Sequence, residues 1–264
     1  MMYSYSYFAD FYDELTQNVD YEKTADYILR IAEKYQHNMG ITLDLACGTG
    51  NLTVILKEKG VDIYGIDASA EMLSVAQEKA LDKGLNGMLF LCQKMQNIDL
   101  FGTIDTCICT LDSINHLTSK DDVQKTFSKI SFFMNPNALL IFDVNTLYKH
   151  QKILADNTYV YDTENVYCVW QNRLLKDKRT VDITLDFFEK TSNNKEYRNF
   201  YRRFSENFRE YAYTHEELCE MLNKAGFELL DVFGELTFET PKESSQRNIY
   251  VAKNNQRRCS KTPV

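Results

Sequence analysis

The stretch Ile41-Thr42-Leu43-Asp44-Leu45-Ala46-Cys47-Gly48-Thr49-Gly50-Asn51 restricts the fold more than any other part of the chain. Ile41, Leu43 and Leu45 form a short apolar run of the kind buried in a parallel sheet. Ala46, Gly48 and Gly50 let the backbone of the following turn pass close under a ligand, and Asn51 stands where it can cap a helix. Strand, tight turn and helix start, in that order, open a doubly wound α/β sheet, and such a turn is shaped for a nucleotide-like cofactor.

Which cofactor depends on the acid. Dinucleotide folds carry G-x-G-x-x-G and lay a pyrophosphate on the helix N-terminus. Here the third glycine is missing and Asp44 stands inside the motif, where a carboxylate repels phosphate and welcomes an ammonium group. Further on, Val61-Asp62-Ile63-Tyr64-Gly65-Ile66-Asp67 reads as a second strand whose terminal acid is placed to accept hydrogen bonds from two ribose hydroxyls, a device that NAD enzymes share. Ser69 then caps a helix running towards Gly84.

The acid-x-small-x-Gly-x-Gly pattern at Asp44 and the run Gly65-Ile66-Asp67-Ala68-Ser69-Ala70-Glu71-Met72-Leu73 resemble the first and second motifs of class I S-adenosylmethionine-dependent methyltransferases. The resemblance implies a Rossmann-like fold and S-adenosyl-L-methionine as cofactor. It sets Asp44, Ala46, Cys47, Gly48 and Gly50 around the methionyl part, Asp67 and Ala68 at the ribose, and Met72 near the adenine. After the strand Met88–Cys92, Lys94 stands where the family commonly has an acid that meets the adenine amino group, which leaves the backbone near Met95 to serve the ring. Tyr5 and Leu111 complete the expected cofactor set.

Strands and helices alternate up to residue 145, which predicts a doubly wound sheet. The pattern then changes. From about residue 157 to 212 the periodicity is two: Val166, Cys168 and Trp170; Val181, Ile183, Leu185 and Phe187; Tyr197, Asn199, Tyr201 and Arg203. Lys176-Asp177-Lys178 and Ser192-Asn193-Asn194-Lys195 break these runs as the turns of antiparallel hairpins. Thr214-His215-Glu216-Glu217 is a capping box, and Phe227–Glu235 and Asn248–Ala252 supply two last strands. The expected architecture is a seven-stranded sheet with a cofactor-binding core of residues 1–147 and 213–253, an antiparallel β insertion at 148–212 acting as a substrate lid, and a disordered polar tail at 254–264.

Composition narrows the functional classes. No apolar run approaches the ~20 residues of a membrane span, and the N-terminus lacks a basic region followed by an apolar core, so the expected location is the cytoplasm. The seven cysteines show no C-x-x-C pairing and read as reduced, buried thiols rather than zinc ligands. The net charge of −8 argues against bulk nucleic-acid binding. Arg202, Arg203 and Arg209 form a local basic cluster with three readings: anchors for an anionic substrate, the solvated face of a sheet, or a homodimer contact.

Ligands of such sheets lie beyond the carboxyl ends of the strands, so the loop after the fourth strand, Leu111-Asp112-Ser113-Ile114-Asn115-His116, faces the reacting centre. Ser113-Ile114-Asn115-His116 is similar to an element of the amino-sugar N-methyltransferases. His116 is the candidate base, with a helix-start residue bonding a nearby carbonyl as its structural alternative. Tyr12 and Tyr21 are candidates for orienting donor or acceptor, while the aromatic run at Tyr5, Phe8 and Tyr12 reads either as a hydrophobic staple or as a cover over the cofactor. His37, His150 and His215 look peripheral. The expected activity is methyl transfer to a nitrogen or oxygen nucleophile of a small molecule. An NAD(P)-dependent oxidoreductase, an RNA or protein methyltransferase and a non-catalytic cofactor-binding protein are the alternatives.

Overall fold

Both faces of β1 (Ile41–Leu45) are buried, which is why its side chains read as a continuous apolar run rather than an alternation. The computed structural model describes residues 8–190 and 200–255. In it β1 is an interior strand of a seven-stranded sheet with β2 (Asp62–Asp67), β3 (Phe90–Cys92), β4 (Ile104–Cys109), β5 (Met134–Asn145), β10 (Phe227–Gly234) and β11 (Arg247–Asn254), in the order β10-β11-β5-β4-β1-β2-β3. The first five run parallel; β11 lies antiparallel against β5, and β10 against β11. The chain leaves β1 towards β2 on one side and returns through β4 on the other, so a crevice opens at the carboxyl ends of β1 and β4.

Two apolar layers sandwich this sheet. On one face α2 (Tyr21–Lys34) and α3 (Asn51–Glu58) bury Ala25, Ile28, Ile31, Leu52 and Leu56 against Ile63, Ile108 and Val251. On the other, α5 (Lys120–Phe133) and α6 (His215–Lys224) cover Leu43, Cys107, Cys109, Phe142 and Tyr250. Cys107 and Cys109 thus share a face and Ile108 takes the opposite one, as strand geometry requires. The helices start where their caps stand: the Ser69 hydroxyl accepts from Met72 N–H at the head of α4 (Ala70–Asp82), and Thr214 with Glu217 closes a capping box on α6.

The region after β5 is a second, four-stranded antiparallel sheet in the order β6 (Thr158–Asp162), β7 (Val166–Leu174), β8 (Thr180–Lys190) and β9 (Tyr201–Tyr211). Its inner face, with Val166, Cys168, Val181, Ile183, Leu185 and Phe187, packs on Ala9, Phe11 and Leu15 of α1 (Phe8–Leu15). The outer face is a ladder of ion pairs: Arg209 and Arg173 meet Asp182, and Arg203 meets Asp186. Arg202 pairs with Glu189 on the opposite face, in the register of Phe204 and Phe187. Of the three clustered arginines, Arg203 and Arg209 therefore occupy the solvated outer face of the sheet, and Arg202 turns to the other face at its end.

Several local expectations are corrected. Asn51 does not cap α3; Gly50, at φ +74°, takes that place, and Asn51 is the first helical residue. The turn Asn135-Pro136-Asn137 lies inside β5 as a bulge, with Asn137 at φ +65° and the β4 register jumping from Ile104 opposite Met134 to Thr106 opposite Leu139. Asn254 is not tail: it ends β11 in the core, its amide donating to Ser131 O and Met134 O, both at 3.1 Å. The described cysteines are all free, but Cys92 is exposed and Cys47 and Cys219 are half-buried, so only Cys107, Cys109 and Cys168 are buried thiols. Tyr5, the Ser192–Lys195 turn and residues 256–264 lie outside the described residues. Among those described, no helix is long and apolar enough to cross a membrane.

Candidate active site

The turn after β1 is built on left-handed backbone at Ala46 (φ +61°), Gly48 (φ +55°) and Gly50 (φ +74°). Gly48 N–H donates to Asp67 Oδ2 at 2.9 Å, and Ser69 N–H donates to Asp67 Oδ1 at 2.8 Å, so the acid at the end of β2 ties the turn to the head of α4. Burial pushes the Asp67 carboxyl up, and these backbone donors pull against it. A Cβ built on Gly48 meets nothing within 4 Å, which leaves the turn open on that side to a ligand. Gly65 is the reverse case: a Cβ there would lie 2.6 Å from Cys47 Sγ and 2.8 Å from the Phe90 ring. Asp44, 2 % exposed, accepts from the Thr53 hydroxyl at 2.6 Å, and burial pushes its carboxyl up to about 7. An acid in that condition suits a cationic ligand group.

The other expected cofactor residues are more scattered. Ala68 and Lys94 are exposed; Lys94 precedes a single 3₁₀ turn, Met95–Asn97, and Met95 is half-buried against the core. Met72 is buried under α1 with Ala9, Phe11 and Leu15 rather than open to the crevice.

The loop after β4 is held from outside itself. Leu111 (φ +56°) and Asp112 (φ +54°) are both left-handed, a conformation costing roughly 1–2 kcal/mol for each non-glycine residue. Asp143 of β5 offsets that cost by accepting from Leu111 N–H at 2.9 Å and Asp112 N–H at 2.6 Å. Arg247 of β11 donates to Asp143 at 3.2 Å and also bonds the Asp112 carboxylate. The next turn, Ser113–His116, is fastened by Asn115, which accepts from Asn145 N–H at 2.9 Å and donates to Tyr211 O at 2.9 Å.

His116 follows from that anchorage. Its ring lies 5.2 Å from the Phe208 ring, beside a surface cleft of about 530 Å³ lined by His116, Thr118, Asp182, Asn207, Phe208 and Arg209. Asp112, His116 and Glu210 each present an oxygen or ring nitrogen within 4.8 Å of the others. Such a trio could surround a divalent cation, yet Arg247 already bonds Asp112, and Glu210 accepts from Asn145 Nδ2 at 3.0 Å with His150 Nε2 3.5 Å away. Burial pushes the Glu210 carboxyl up, but His150, His116 and Asn145 outweigh it and hold it at about 2. Burial, followed by its neighbours Tyr21, Asp112 and Asp67, pushes the Tyr12 hydroxyl up. The structure thus brings Tyr12, Tyr21, Asp67, Asp112 and His116 to one end of the sheet.

His150 is not peripheral. It is fully buried, with Nδ1 2.8 Å from Arg179 O and Nε2 towards Glu210. His37 bonds Thr106 Oγ1 at 2.9 Å, and His215 lies 3.3 Å from the Tyr250 hydroxyl at the head of α6, both outside this group. Glu210, Asp143, Arg247 and Asn115 were missed from the sequence. The one available signal was that Glu210 shares the inward register of β9 with Phe204 and Phe208.

A family model described as a methyltransferase domain matches residues 42–137. A putative methyltransferase of Bacillus subtilis, YqeM, is 34% identical over 249 residues, 94% of this chain and 96% of that protein. The crystal structure of an S-adenosylmethionine-dependent methyltransferase from Clostridium acetobutylicum superposes with a TM-score of 0.84 at 32% identity, covering 96% of this chain and 99% of the other. A glycine/sarcosine N-methyltransferase of Halorhodospira halochloris is 32% identical over 148 residues, 53% of this chain and 54% of that one.

Proposed function

This chain belongs to the S-adenosylmethionine-dependent methyltransferases, and from that premise we propose that it methylates a nitrogen or oxygen nucleophile of a small molecule, with His116 as the base. An NAD(P)-dependent oxidoreductase and a non-catalytic binder are set aside by the family itself. The observation that carries the reading is the His116 ring within 4.8 Å of Asp112 and Glu210, beyond the carboxyl end of β4.

S-adenosylmethionine supplies an activated methyl group on a sulfonium, so the protein's work is alignment and the exclusion of water. Asp44 suits the amino group of the methionyl part, and Asp67, both of whose oxygens are oriented by backbone donors, suits the ribose hydroxyls. Tyr12 and Tyr21 flank the methyl side, and the sheet β6–β9 with α1 forms the lid of the acceptor pocket. Nitrogen is the favoured nucleophile: Glu210 near His116 adds negative charge that favours an amine acceptor, and the glycine/sarcosine enzyme of H. halochloris is named for amine acceptors. The free thiols among the described residues accord with a reducing, cytoplasmic setting.

The test is an acceptor screen. Wild-type protein and His116→Ala are incubated with S-adenosylmethionine and separate panels of primary amines, secondary amines and alcohols, and S-adenosylhomocysteine release is followed. Turnover on one class, falling about 10²-fold or more in the variant, supports the reading. Turnover confined to RNA or protein fractions overturns the small-molecule acceptor, and an unimpaired variant overturns the base.

A further inference from the structure

We propose that Glu210 is a positioning residue for this reaction: its carboxylate, held in place from behind by His150 and Asn145, orients the His116 ring and stabilises the imidazolium that forms when His116 takes the acceptor's proton. The inference rests on the reading of His116 as base.

Glu210 stands on β9, in the second sheet, whereas His116 stands on the turn after β4 of the main sheet, so the two meet only through the tertiary fold. At 4 % exposure a carboxylate is costly to keep charged unless it is paired. Two groups behind it meet that need: Asn145 Nδ2 donates at 3.0 Å, and His150 Nε2 lies at 3.5 Å. Both contacts use Oε2, which leaves Oε1 outside them. Asn145 is itself located by Asn115, the residue before His116, and the Nδ1 contact of His150 with Arg179 O turns its Nε2 towards the acid. The same residues that place the His116 turn therefore place the acid that serves it, an arrangement equivalent to the orienting carboxylate behind a catalytic histidine.

The other charges around the pair act differently. Asp112 also lies within 4.8 Å, but its carboxylate is bonded to Arg247. Lys149 donates to Asn145 Oδ1 at 2.8 Å, and Asp67 at the end of β2 adds negative charge from the cofactor side. Arg247 offsets Asp112, so the acid available to a proton arriving on His116 is Glu210. In the transfer the acceptor's lone pair forms the bond to the methyl carbon, and the carbon–sulfur pair stays with sulfur. The proton shed by the acceptor goes to a ring nitrogen of His116, where the Glu210 carboxylate faces the new charge.

The experiment is an NMR titration of histidine-labelled protein saturated with S-adenosylhomocysteine, with the His116 ring assigned by its loss in His116→Ala. In Glu210→Gln the pH midpoint for protonating His116 falls by about one unit, the lower end of what an opposite charge at this range provides. In Glu210→Asp, which keeps the charge and withdraws it by one methylene, it falls by a few tenths, so the result does not depend on the neutral variant folding. A midpoint that stays put or rises in the folded variants overturns the proposal. That outcome is separable from failure of the base itself: full turnover by His116→Ala overturns both readings, whereas an inactive His116→Ala with unmoved midpoints overturns only the role of Glu210.

Discussion

Asp13 on α1 reaches across to the turn after β1, where its Oδ1 accepts from the Thr49 hydroxyl at 2.8 Å and from Asn51 Nδ2 at 2.8 Å. Lys79 of α4 pairs with its other oxygen and donates to Asn51 Oδ1 at 2.6 Å. One acid therefore latches α1 both to the turn after β1 and to α4. Asp13→Ala should leave global stability nearly unchanged, because its side chain is 42% exposed and surface pairs contribute little. It should instead speed amide hydrogen exchange in α1 about tenfold, the loss of roughly 1–1.5 kcal/mol of local hydrogen bonding. Unaltered exchange in α1 would sink the latch.

Asp67→Ala removes the acceptor for Gly48 N–H and Ser69 N–H as well as the partner proposed for the ribose. Calorimetric titration with S-adenosylhomocysteine should show affinity falling about 10²-fold or more, corresponding to roughly 2.7 kcal/mol. Binding within a factor of three of wild type would remove Asp67 from the cofactor site.

Burial holds Asp44 at about 7, and a bound ammonium favours its ionised form. Cofactor binding should then release protons just below pH 7, and affinity should rise as pH climbs through that window. Titrations near pH 6.5 in two buffers of different ionisation enthalpy measure the release directly; identical heats would refute it. Stability has the opposite sign. The folded pKa lies above the unfolded one, so in the ligand-free protein the contribution of Asp44 is lost as pH rises from about 4 through about 7.

Gly65→Ala forces a methyl group against Cys47 Sγ and the Phe90 ring. Overpacking of this kind costs about 1–3 kcal/mol, or roughly 2–4 °C of Tm per kcal/mol at this chain length. Adding Cys47→Ala should recover part of the loss. Thermal melts of the wild type and the two variants decide it: no recovery would mean that Phe90 alone sets the limit.

Arg247→Gln releases the Asp112 carboxylate and Asp143, the acid that holds the two consecutive left-handed residues Leu111 and Asp112. About 2 kcal/mol of stability should be lost, less than for a fully buried pair because the Arg247 side chain is 22% exposed. Turnover should fall further than cofactor affinity, since the loop carries His116 rather than the crevice floor. Equal losses in both would argue against that division.

What the sequence revealed were the local rules. Ser69 and the Thr214–Glu217 box cap helices because capping is decided within four residues, and Val181, Ile183, Leu185 and Phe187 face inward because strand side chains alternate. Asp67 at the end of β2 was readable for the same reason. Arg247 and Asp112 are 135 positions apart, and no pattern local to either says that they meet. Glu210 and His150 sit in stretches whose polar residues read as solvent-facing until the second sheet closes over them. Asn254 looked like the start of a tail because asparagine is polar; its amide instead satisfies backbone carbonyls at the end of α5 and the start of β5. Local propensity carried the scaffold, and tertiary closure decided which distant polar groups meet.

The placement of β11 between β5 and β10 has a consequence for synthesis. β5 can pair with β4 as soon as it has emerged from the ribosome, but its other edge stays unpaired for the hundred or so residues that follow, until Arg247–Asn254 has been made and fills the gap. Throughout that interval the nascent protein carries an apolar, open strand edge, the kind of surface that recruits chaperones or a second copy. Arg247 arrives with the same strand, so the loop bearing His116 acquires its anchor only when the sheet is sealed. A truncated or stalled chain would hold both halves of the cofactor crevice without the competence to use them.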